Sequence, residues 1–261
     1  SPRMKQDIPE GLLDKGQPLL PLLAHLGLGT TRQLEPLLGK DHYVTARVGS
    51  GTARFFILRV AQLPQSDDST LWIFALTDIT EVIEEKFWEK DHGAIAEEFS
   101  ADWQPVPGYR GQNSNMHLTE ALMAAFEATG TVAYLDKAKS IARLIIARHA
   151  ASLDYAVAEH FDEQWKIDRG YKGSDMFRPA GTTPGHWLEW SRLMAQLWVL
   201  DGKREAWMVE AAQGLFREAM GLGWDREKGG LFYTLDWDNK PVLREKLWWP
   251  VSEAIGAAAY I

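Results

Sequence analysis

The sequence contains no cysteine among its 261 residues, which excludes disulfide bonds, thiolate nucleophiles and thiolate-bound zinc or iron–sulfur sites. Basic residues are scarce relative to acidic ones, with 28 Lys and Arg against 36 Asp and Glu. The net charge of -8 argues against a nucleic-acid partner, because phosphate binding requires clustered positive charge. No apolar run approaches the roughly 18 residues of a membrane span, and the N-terminal residues lack the apolar core of a signal peptide. We therefore expect a cytoplasmic protein without a membrane partner.

Charge and tryptophan are distributed unevenly along the chain. Residues 1–80 hold 8 basic and 8 acidic residues and a single tryptophan, Trp72. Residues 81–261 hold 20 basic and 28 acidic residues and the other 11 tryptophans. This shift in composition predicts two domains, a small α+β segment at 1–81 and a helical domain at 82–261.

The first segment has the pattern of short helices followed by strands. Its leucine-rich stretch 12–38 is interrupted by prolines and glycines, which predicts short helices. Three strand-like runs follow, at His42–Val48, Ala53–Ala61 and Thr70–Thr77. A glycine-rich turn at 49–51 predicts a hairpin between the first two, and a polar tip at 65–69 separates the second from the third.

The second segment is dominated by helical periodicity, which predicts a mainly α fold for the chain as a whole. Apolar residues recur at helical spacing in Met116–Thr129, Val132–Ala150, Pro184–Leu200, Arg204–Met220 and Pro250–Ile261. Alanine-rich stretches within these helices permit close packing between them. Two shorter stretches, Ala156–Phe161 and Leu231–Asp236, are predicted to be extended.

An internal repeat supports an array of helical hairpins. Trp88–Gly93 and Trp224–Gly229 have the same spacing of tryptophan and glycine. Each is followed by an Asp-Trp pair and a proline, namely Asp102-Trp103 with Pro105 and Asp236-Trp237 with Pro241. The stretch EHFDEQW at 159–165 is interpreted as a degenerate middle copy. Repeated helical units that cover one another's apolar faces indicate an (α/α) toroid or a related array.

Two of the seven histidines lie where a predicted helix begins. His117 follows a loop rich in glycine and asparagine, with Asn113 four residues before it and Glu120 three residues after it. His186 follows a Thr-Thr-Pro-Gly turn and has Glu189 three residues after it. A helix N-terminus disfavours the imidazolium, whereas a carboxylate one turn away raises the basicity of the ring. Both histidines are therefore candidates for acid–base chemistry near neutral pH.

The same spacing is compatible with two other interpretations. In the first, each helix is simply capped and its histidine is a polar group with satisfied hydrogen bonds, which would give the same spacing. A His-x-x-Glu pair on each of two helices is also similar to the ligand sets of di-iron bundles, although the order is reversed and a further carboxylate pair is missing. We therefore predict no metal. His160, between Glu159 and Asp162, is a further histidine with acidic neighbours.

Tryptophan provides a second signal beside these histidines. Trp187 and Trp190 flank Glu189 in the sequence, and Trp248-Trp249 precede another helix. Most tryptophans of a helical domain pack in its core. Aromatic planes beside polar side chains also suit the apolar C–H faces of sugar rings. Trp187 and Trp190 are therefore candidates for ligand contact.

Several long motifs of the second segment resemble a single family. They occur in the order VIEEKFW, YRGQNSNMHLTEAL, EHFDEQW, DMFRPAGTTPGHWLEWSRLM, GGLFYTLDWDNKPV and KLWWPVSEAIGAA. Together they resemble the N-acylglucosamine 2-epimerase superfamily, and TPGHWLEW is similar to its mannose isomerase and sulfoquinovose isomerase branch. The resemblance implies an (α/α) toroid and an aldose–ketose isomerisation of a sugar through a cis-enediol, without metal or cofactor.

The resemblance also assigns roles to individual residues. It implies that His117 and His186 are active-site histidines and that Glu189 is the acid beside the second of them. Asn113 would contact a substrate hydroxyl, and Arg178 would line the pocket. Which histidine takes which proton stays open at this point.

Two departures from the family pattern shape the remaining expectations. The family's third active-site histidine, in its C-terminal helices, has no counterpart here, and neither have its N-terminal helices. The string YVTAR at Tyr43–Arg47 is only a weak match to a motif of those helices. We therefore expect a toroid that is incomplete at both ends, and a homodimer could cover its open helix faces.

The first segment shows a second, shorter resemblance. Residues 34–81, with GSGTARFFILRV and LWIFALTDITE, are similar to the later strands of a PAS domain, a fold that senses ligands or mediates dimers. The leading hypothesis is thus a sugar isomerase of the mannose–fructose type. The alternative is a non-catalytic sugar-binding or structural remnant of that family, coupled to a PAS-like segment.

Overall fold

The computed structural model divides the chain into two compact units, Ser1–Phe87 and Trp88–Ile261. The described residues are 4–8, 38, 41–48, 53–64, 70–106, 108–174 and 178–261. Apart from Leu38, the short helices predicted over 12–38 lie outside these residues, as do the turns predicted at 49–51 and 65–69.

Four strands form one sheet in the described part of the first unit. The strands are β1 (Met4–Ile8), β2 (Asp41–Val48), β3 (Ala53–Pro64) and β4 (Thr70–Asp78), in this spatial order. β2, β3 and β4 pair in antiparallel fashion, whereas β1 pairs in parallel with β2. A short helix α1 (Ile79–Val82) and a π-helical turn (Ile83–Phe87) follow the sheet.

Three of these strands confirm the sequence prediction to within a few residues. Leu58 and Val60, two residues apart in β3, are 1% and 2% exposed, because alternate residues of a strand share one face and this face is buried. β1 was not predicted. The PAS-like resemblance of 34–81 remains a prediction, since these strand pairings do not distinguish it from other small α+β units.

Helical hairpins make up most of the second unit. Its helices are α2 (Gln112–Thr129), α3 (Val132–Ala142), α4 (Pro184–Leu200), α5 (Trp207–Leu222) and α6 (Trp248–Ala258). Its two-residue strands are β5 (Trp88–Glu89), β6 (Ala94–Ile95), β7 (Arg110–Gly111) and β8 (His160–Phe161). The α3 backbone continues through π-helical Arg143–His149 and 3-10 helical Ala150–Leu153. All five predicted helices are confirmed, and so is the mainly helical fold.

The packing of the helices places α4 at the centre of the second unit. α4 contacts α2 on one side and α6 on the other, and it pairs with α5 as α2 pairs with α3. The helix begins at Pro184, where a missing N–H is tolerated and the fixed backbone angle favours the first turn. α2 ends at Thr129, and the following Gly130 has a left-handed conformation (φ 72°) in which its N–H donates to the carbonyl of Phe126. Among the described residues, no helix combines the length and apolar character needed to cross a membrane.

The internal repeat is present as a set of matching hairpins. Trp88 bridges Ile95, and Trp224 bridges Leu231 with the same separation along the chain. A second type of bridge joins Phe99 to Pro105, Phe161 to Ile167, and Leu235 to Pro241. The middle copy therefore shares the second type of bridge with the outer copies, although its sequence is degenerate.

One part of the predicted repeat is wrong in register. In each bridge of the second type, the residue four positions after the first partner has a positive φ. These residues are Trp103 (60°), Trp165 (57°) and Asn239 (60°). Trp103 therefore corresponds to Asn239 and not to Trp237. The Asp-Trp pairs coincide in composition but occupy different places in the hairpin.

A substitution of Gly181 tests how tightly these hairpins fix the start of α4. Gly181 has φ +86°, and a Cβ there would lie 2.1 Å from the carbonyl oxygen of Leu235. That oxygen is held by the N–H of Thr182 at 2.9 Å. Gly181→Ala is expected to lower the free energy of unfolding by about 3 kcal/mol, because strain and overpacking add. Gly130→Ala, at φ +72° with no atom of the described residues within 4 Å of the added Cβ, should cost only about 1 kcal/mol. Equal losses in urea denaturation would contradict this interpretation.

Candidate active site

The three helices that follow the repeated hairpins each carry an ionisable residue at the same position. His117 in α2, Glu189 in α4 and Glu253 in α6 are each the sixth residue of their helix. Because α4 lies between α2 and α6, these positions approach one another. Nδ1 of His117 lies 3.7 Å from Oε1 of Glu189, whereas the resemblance implied that Glu189 is the acid beside His186.

Arg192, one turn further along α4, links the acidic groups of all three helices. Its guanidinium bonds Glu120 of α2 at 3.1 Å and Glu253 of α6 at 3.1 Å. It also lies 4.0 Å from Glu189. The side chains of Arg192 and Glu189 are largely buried, so their charges depend on one another, whereas Glu120 is partly solvated.

The same cluster contains a group that could ligate a cation. The ligating atoms of His117, Glu120 and Glu189 all lie within 4.8 Å of one another. Arg192, however, already bonds Glu120 and approaches Glu189. The guanidinium supplies the positive charge that a divalent cation would bring, so we describe the cluster as an ion-pair network.

Burial shifts the pKa values of His117 and Glu189 in directions that favour their neutral forms. Burial raises the pKa of Glu189 to about 7, and Glu253 adds to this effect while His186 and Arg192 oppose it. Burial also lowers the pKa of His117, as does the charge of His186. At neutral pH, the half-exposed imidazole of His117 is therefore neutral, and the Glu189 carboxyl beside it is close to half ionised.

His186 is paired with a different carboxylate, which sequence reasoning did not select. Nδ1 of His186 lies 2.9 Å from both carboxylate oxygens of Glu159, a residue that directly precedes β8. Nε2 of Gln112, the first residue of α2, lies 2.8 Å from Glu159 and 3.0 Å from Nδ1 of His186. Glu159 and Gln112 are almost fully buried.

The His186–Glu159 pair shifts both pKa values toward the charged forms. Burial alone would lower the pKa of His186, but the charge and hydrogen bond of Glu159 outweigh it and raise the pKa. Burial likewise opposes ionisation of Glu159, yet His186 and the Gln112 amide hold the pKa of this carboxyl below its usual value. The two candidate histidines thus differ, His186 being the more basic.

The tryptophan beside His186 is Trp249, in the first turn of α6. The two rings lie 5.1 Å apart at 33°, and Tyr233 meets the edge of Trp249 at 6.3 Å. Gly185 makes this approach possible, since a Cβ there would lie 2.4 Å from the Trp249 ring.

The predicted contacts of Trp187 and Trp190 with a ligand do not fit the structure. Both side chains are 0% exposed, because the apolar face of α4 turns them into the core. Nε1 of Trp190 donates to Oε1 of Gln112 at 2.6 Å, while Nε1 of Trp187 is buried without a hydrogen-bond partner in the described residues. Trp190 thus reaches the site only through Gln112.

Arg178 lies in a neighbouring cluster of aromatic and acidic groups. Its guanidinium lies 4.6 Å from the centre of the Tyr109 ring and forms ion pairs with Glu98 and, at 3.7 Å, with Glu97. Glu97 also accepts a 2.6 Å hydrogen bond from Ser114 in the first turn of α2. Arg178 therefore borders the start of α2, and the ion pairs and hydrogen bonds of the described residues do not join it to His117 or His186.

His160 is a satisfied buried histidine. Its Nε2 donates to the carbonyl of Pro179 at 2.8 Å, so Nδ1 accepts from the Tyr109 hydroxyl at 2.9 Å. Its ring stacks on Tyr171 at 4.0 Å, and burial lowers its pKa. Asn113, by contrast, is exposed on the same face of α2 as His117, one turn before it.

Residues 43–261 match the family described as N-acylglucosamine 2-epimerase (GlcNAc 2-epimerase). The chain is 43% identical over 194 residues to D-mannose isomerase from Pseudomonas cannabina pv. alisalensis, covering 70% of this chain and 46% of the relative. It is 40% identical over 184 residues to D-mannose isomerase from Thermobifida fusca, covering 69% and 45%.

The fold is similar to that of a solved relative. A crystal structure of D-mannose isomerase superposes with a TM-score of 0.63 at 41% identity, covering 69% of this chain and 46% of that chain. The chain thus spans about half the length of the curated relatives it matches. The family match begins at Tyr43, within β2, so it does not separate the two segments at residue 81.

Proposed function

The chain belongs to the N-acylglucosamine 2-epimerase family, and we propose that it interconverts an aldose and a ketose of the mannose–fructose type by proton transfer through His117 and His186. One observation carries this proposal. Two histidines on adjacent helices each face a carboxylate, at 3.7 Å for His117 and 2.9 Å for His186, and their pKa values are shifted in opposite directions.

Such a pair suits the chemistry of the isomerisation. His117, kept neutral by its lowered pKa, takes the proton from C2 of the aldose, while His186 donates a proton to O1. The product of this step is a cis-enediol. His117 then returns its proton to C1, and His186 takes the proton from O2, which gives the ketose and restores both rings. General acid–base catalysis of this kind contributes about 10²–10⁴-fold.

Three other groups are proposed to hold the sugar. The exposed amide of Asn113 is available to a substrate hydroxyl, and the Trp249 ring presents an apolar plane beside His186. Arg178 borders the start of α2, although it is engaged by Glu97 and Glu98. Glu189, with a pKa of about 7, can exchange a proton with His117.

A reaction in deuterium oxide tests this mechanism. The His117 side chain is 57% exposed, so a proton held there exchanges with solvent. The chain incubated with mannose in D₂O should form fructose that carries deuterium at C1, as detected by mass spectrometry and proton NMR. Fructose without deuterium would contradict proton transfer by His117 and would favour a direct hydride shift.

The non-catalytic alternative has a different signature. A sugar-binding remnant would bind mannose in calorimetry but form no fructose, and a structural remnant would do neither.

Three further features remain proposals. They are the division into an α+β segment at 1–81 and an isomerase-like domain at 82–261, a cytoplasmic location, and a homodimer. The same chain in light scattering would report a dimer directly.

A further inference from the structure

We propose that Trp190 and Gln112 are positioning residues, which act through Glu159 to fix His186 as the tautomer with its proton on Nδ1 and leave Nε2 to exchange protons with a ligand. The inference deepens the proposed function, and it rests on that function only for the identity of the ligand. Its basis is a continuous line of hydrogen bonds from the core to the site.

The first step is the orientation of the Gln112 amide. An indole N–H can only donate, and Nε1 of Trp190 lies 2.6 Å from Oε1 of Gln112. Both side chains are fully buried, so water does not compete for this contact. The amide oxygen must therefore face Trp190, and the amide nitrogen must face the opposite way.

The second step is the orientation of Glu159. The amide nitrogen of Gln112 lies 2.8 Å from Oε2 of Glu159 and can only donate to it. Glu159 is 5% exposed, and such a buried carboxylate depends on the few donors that reach it. Gln112 is the donor that arrives from the side of α2.

The third step sets the tautomer of His186. The Glu159 carboxylate accepts and cannot donate, and both its oxygens lie 2.9 Å from Nδ1 of His186. The Gln112 amide, 3.0 Å from the same nitrogen, would by itself favour the opposite tautomer. The charged acceptor prevails, because hydrogen bonds to ionised groups are about twice as strong as neutral ones. Within the described residues, the hydrogen bonds of the His186 ring all involve Nδ1.

This balance explains why a residue in the core matters for the site. If Trp190 no longer held the amide oxygen, the Gln112 amide would be free to turn, and its nitrogen could leave Glu159 for Nδ1. The carboxylate would then lose a donor and the competing tautomer would gain one. Trp190 thus controls His186 across two intervening side chains.

Trp187 provides a matched control on the same helix. It is as buried as Trp190, and its Nε1 has no hydrogen-bond partner in the described residues. Trp187→Phe and Trp190→Phe therefore remove the same atoms from equally buried sites, but only the second removes a hydrogen bond.

The experiment is ¹⁵N NMR of the full chain labelled at histidine, at a pH where the His186 ring is neutral. Trp190→Phe is expected to lower the ratio of the Nδ1–H to the Nε2–H tautomer by about tenfold, while Trp187→Phe leaves the ratio at its original value. Gln112→Met, which removes the donor to Glu159 directly, should shift the ratio in the same direction. If both Trp190→Phe and Gln112→Met keep the original ratio, the proposal is wrong.

Kinetics provide an independent readout. Trp190→Phe should lower kcat for mannose by about tenfold at an unchanged KM, and it should shift the pH profile. His186 also faces Glu189 on its own helix, Glu253 on α6 and His117 on α2, all of which remain in the variant. A profile identical to that of Trp187→Phe would overturn the positioning role. Because NMR needs no turnover, an inactive chain whose tautomers respond as expected would refute the proposed function alone.

Discussion

His186→Asn is expected to lower the rate of fructose formation from mannose by about 10³-fold, with little change in KM. Asparagine keeps an N–H that can donate to Glu159, which lies 2.9 Å from Nδ1 in the unsubstituted chain. It removes Nε2, the nitrogen that is proposed to exchange the proton with substrate oxygens. The loss should therefore fall on the chemical step and not on binding.

His92→Asn is the matched control for this measurement. His92 lies in the turn between β5 and β6, outside the helices that carry the candidate site. The control should retain full activity, and circular dichroism should show the same helix content for both variants. Retention of more than a tenth of the activity in His186→Asn would remove this histidine from the proposed mechanism.

Glu189→Gln is expected to stabilise the protein more at alkaline than at acid pH. The free energy of unfolding of the variant minus that of the unsubstituted protein should be about 3 kcal/mol larger at alkaline pH. Burial raises the pKa of Glu189 from its usual 4.5 to about 7. Between these values the unfolded chain releases the proton while the folded chain keeps it. The wild-type protein therefore loses stability as pH rises from about 4.5 to 7, and the loss is complete above 7.

Glutamine removes this loss, since it has the same shape and does not ionise. Urea denaturation at pH 4.5 and pH 8 gives the two differences in free energy of unfolding. Glu127→Gln, which replaces an exposed glutamate near the other end of α2, is the matched surface control at both pH values. A difference between Glu189→Gln and wild type that does not vary with pH would show that this carboxyl ionises normally.

The same variant should lose activity while it gains stability. Glutamine cannot exchange a proton with His117, which lies 3.7 Å from Glu189. Active sites often keep groups in environments that destabilise the fold, and a buried carboxyl with a raised pKa is one such group.

Local sequence signals predicted the helices well. The predicted and observed bounds of α4 agree, at Pro184–Leu200, because proline at the helix start and apolar periodicity are both local properties. The parallel strand β1 was missed, since its pairing with β2 joins segments that are far apart in the sequence. The register of the repeat was wrong at Trp103 for a related reason, because backbone conformation and not residue type defines the equivalent position.

The candidate site was predicted only in part. The sequence spacing and the resemblance placed Glu189 beside His186. The structure instead brings Glu189 to within 3.7 Å of His117, because this contact joins two helices. Gln112 lies in the YRGQNSNMH motif and Glu159 precedes His160, so both signals were present in the sequence. Neither pattern identifies a site residue until its hydrogen-bond partner is known. Trp187 and Trp190 were assigned to the ligand, yet composition cannot distinguish a tryptophan in the core from one in a pocket.

The sequence by itself determined the mainly helical fold, the family and the two candidate histidines, because periodicity and motifs are written in consecutive residues. Only the tertiary structure decided that His186 pairs with Glu159, that Gln112 connects this pair to Trp190, and that Trp249 is the aromatic neighbour. These partners come from different helices and loops, so their contacts depend on how the helices pack. The shifted pKa values follow from the same packing, since it sets the burial and the charged neighbours of each group.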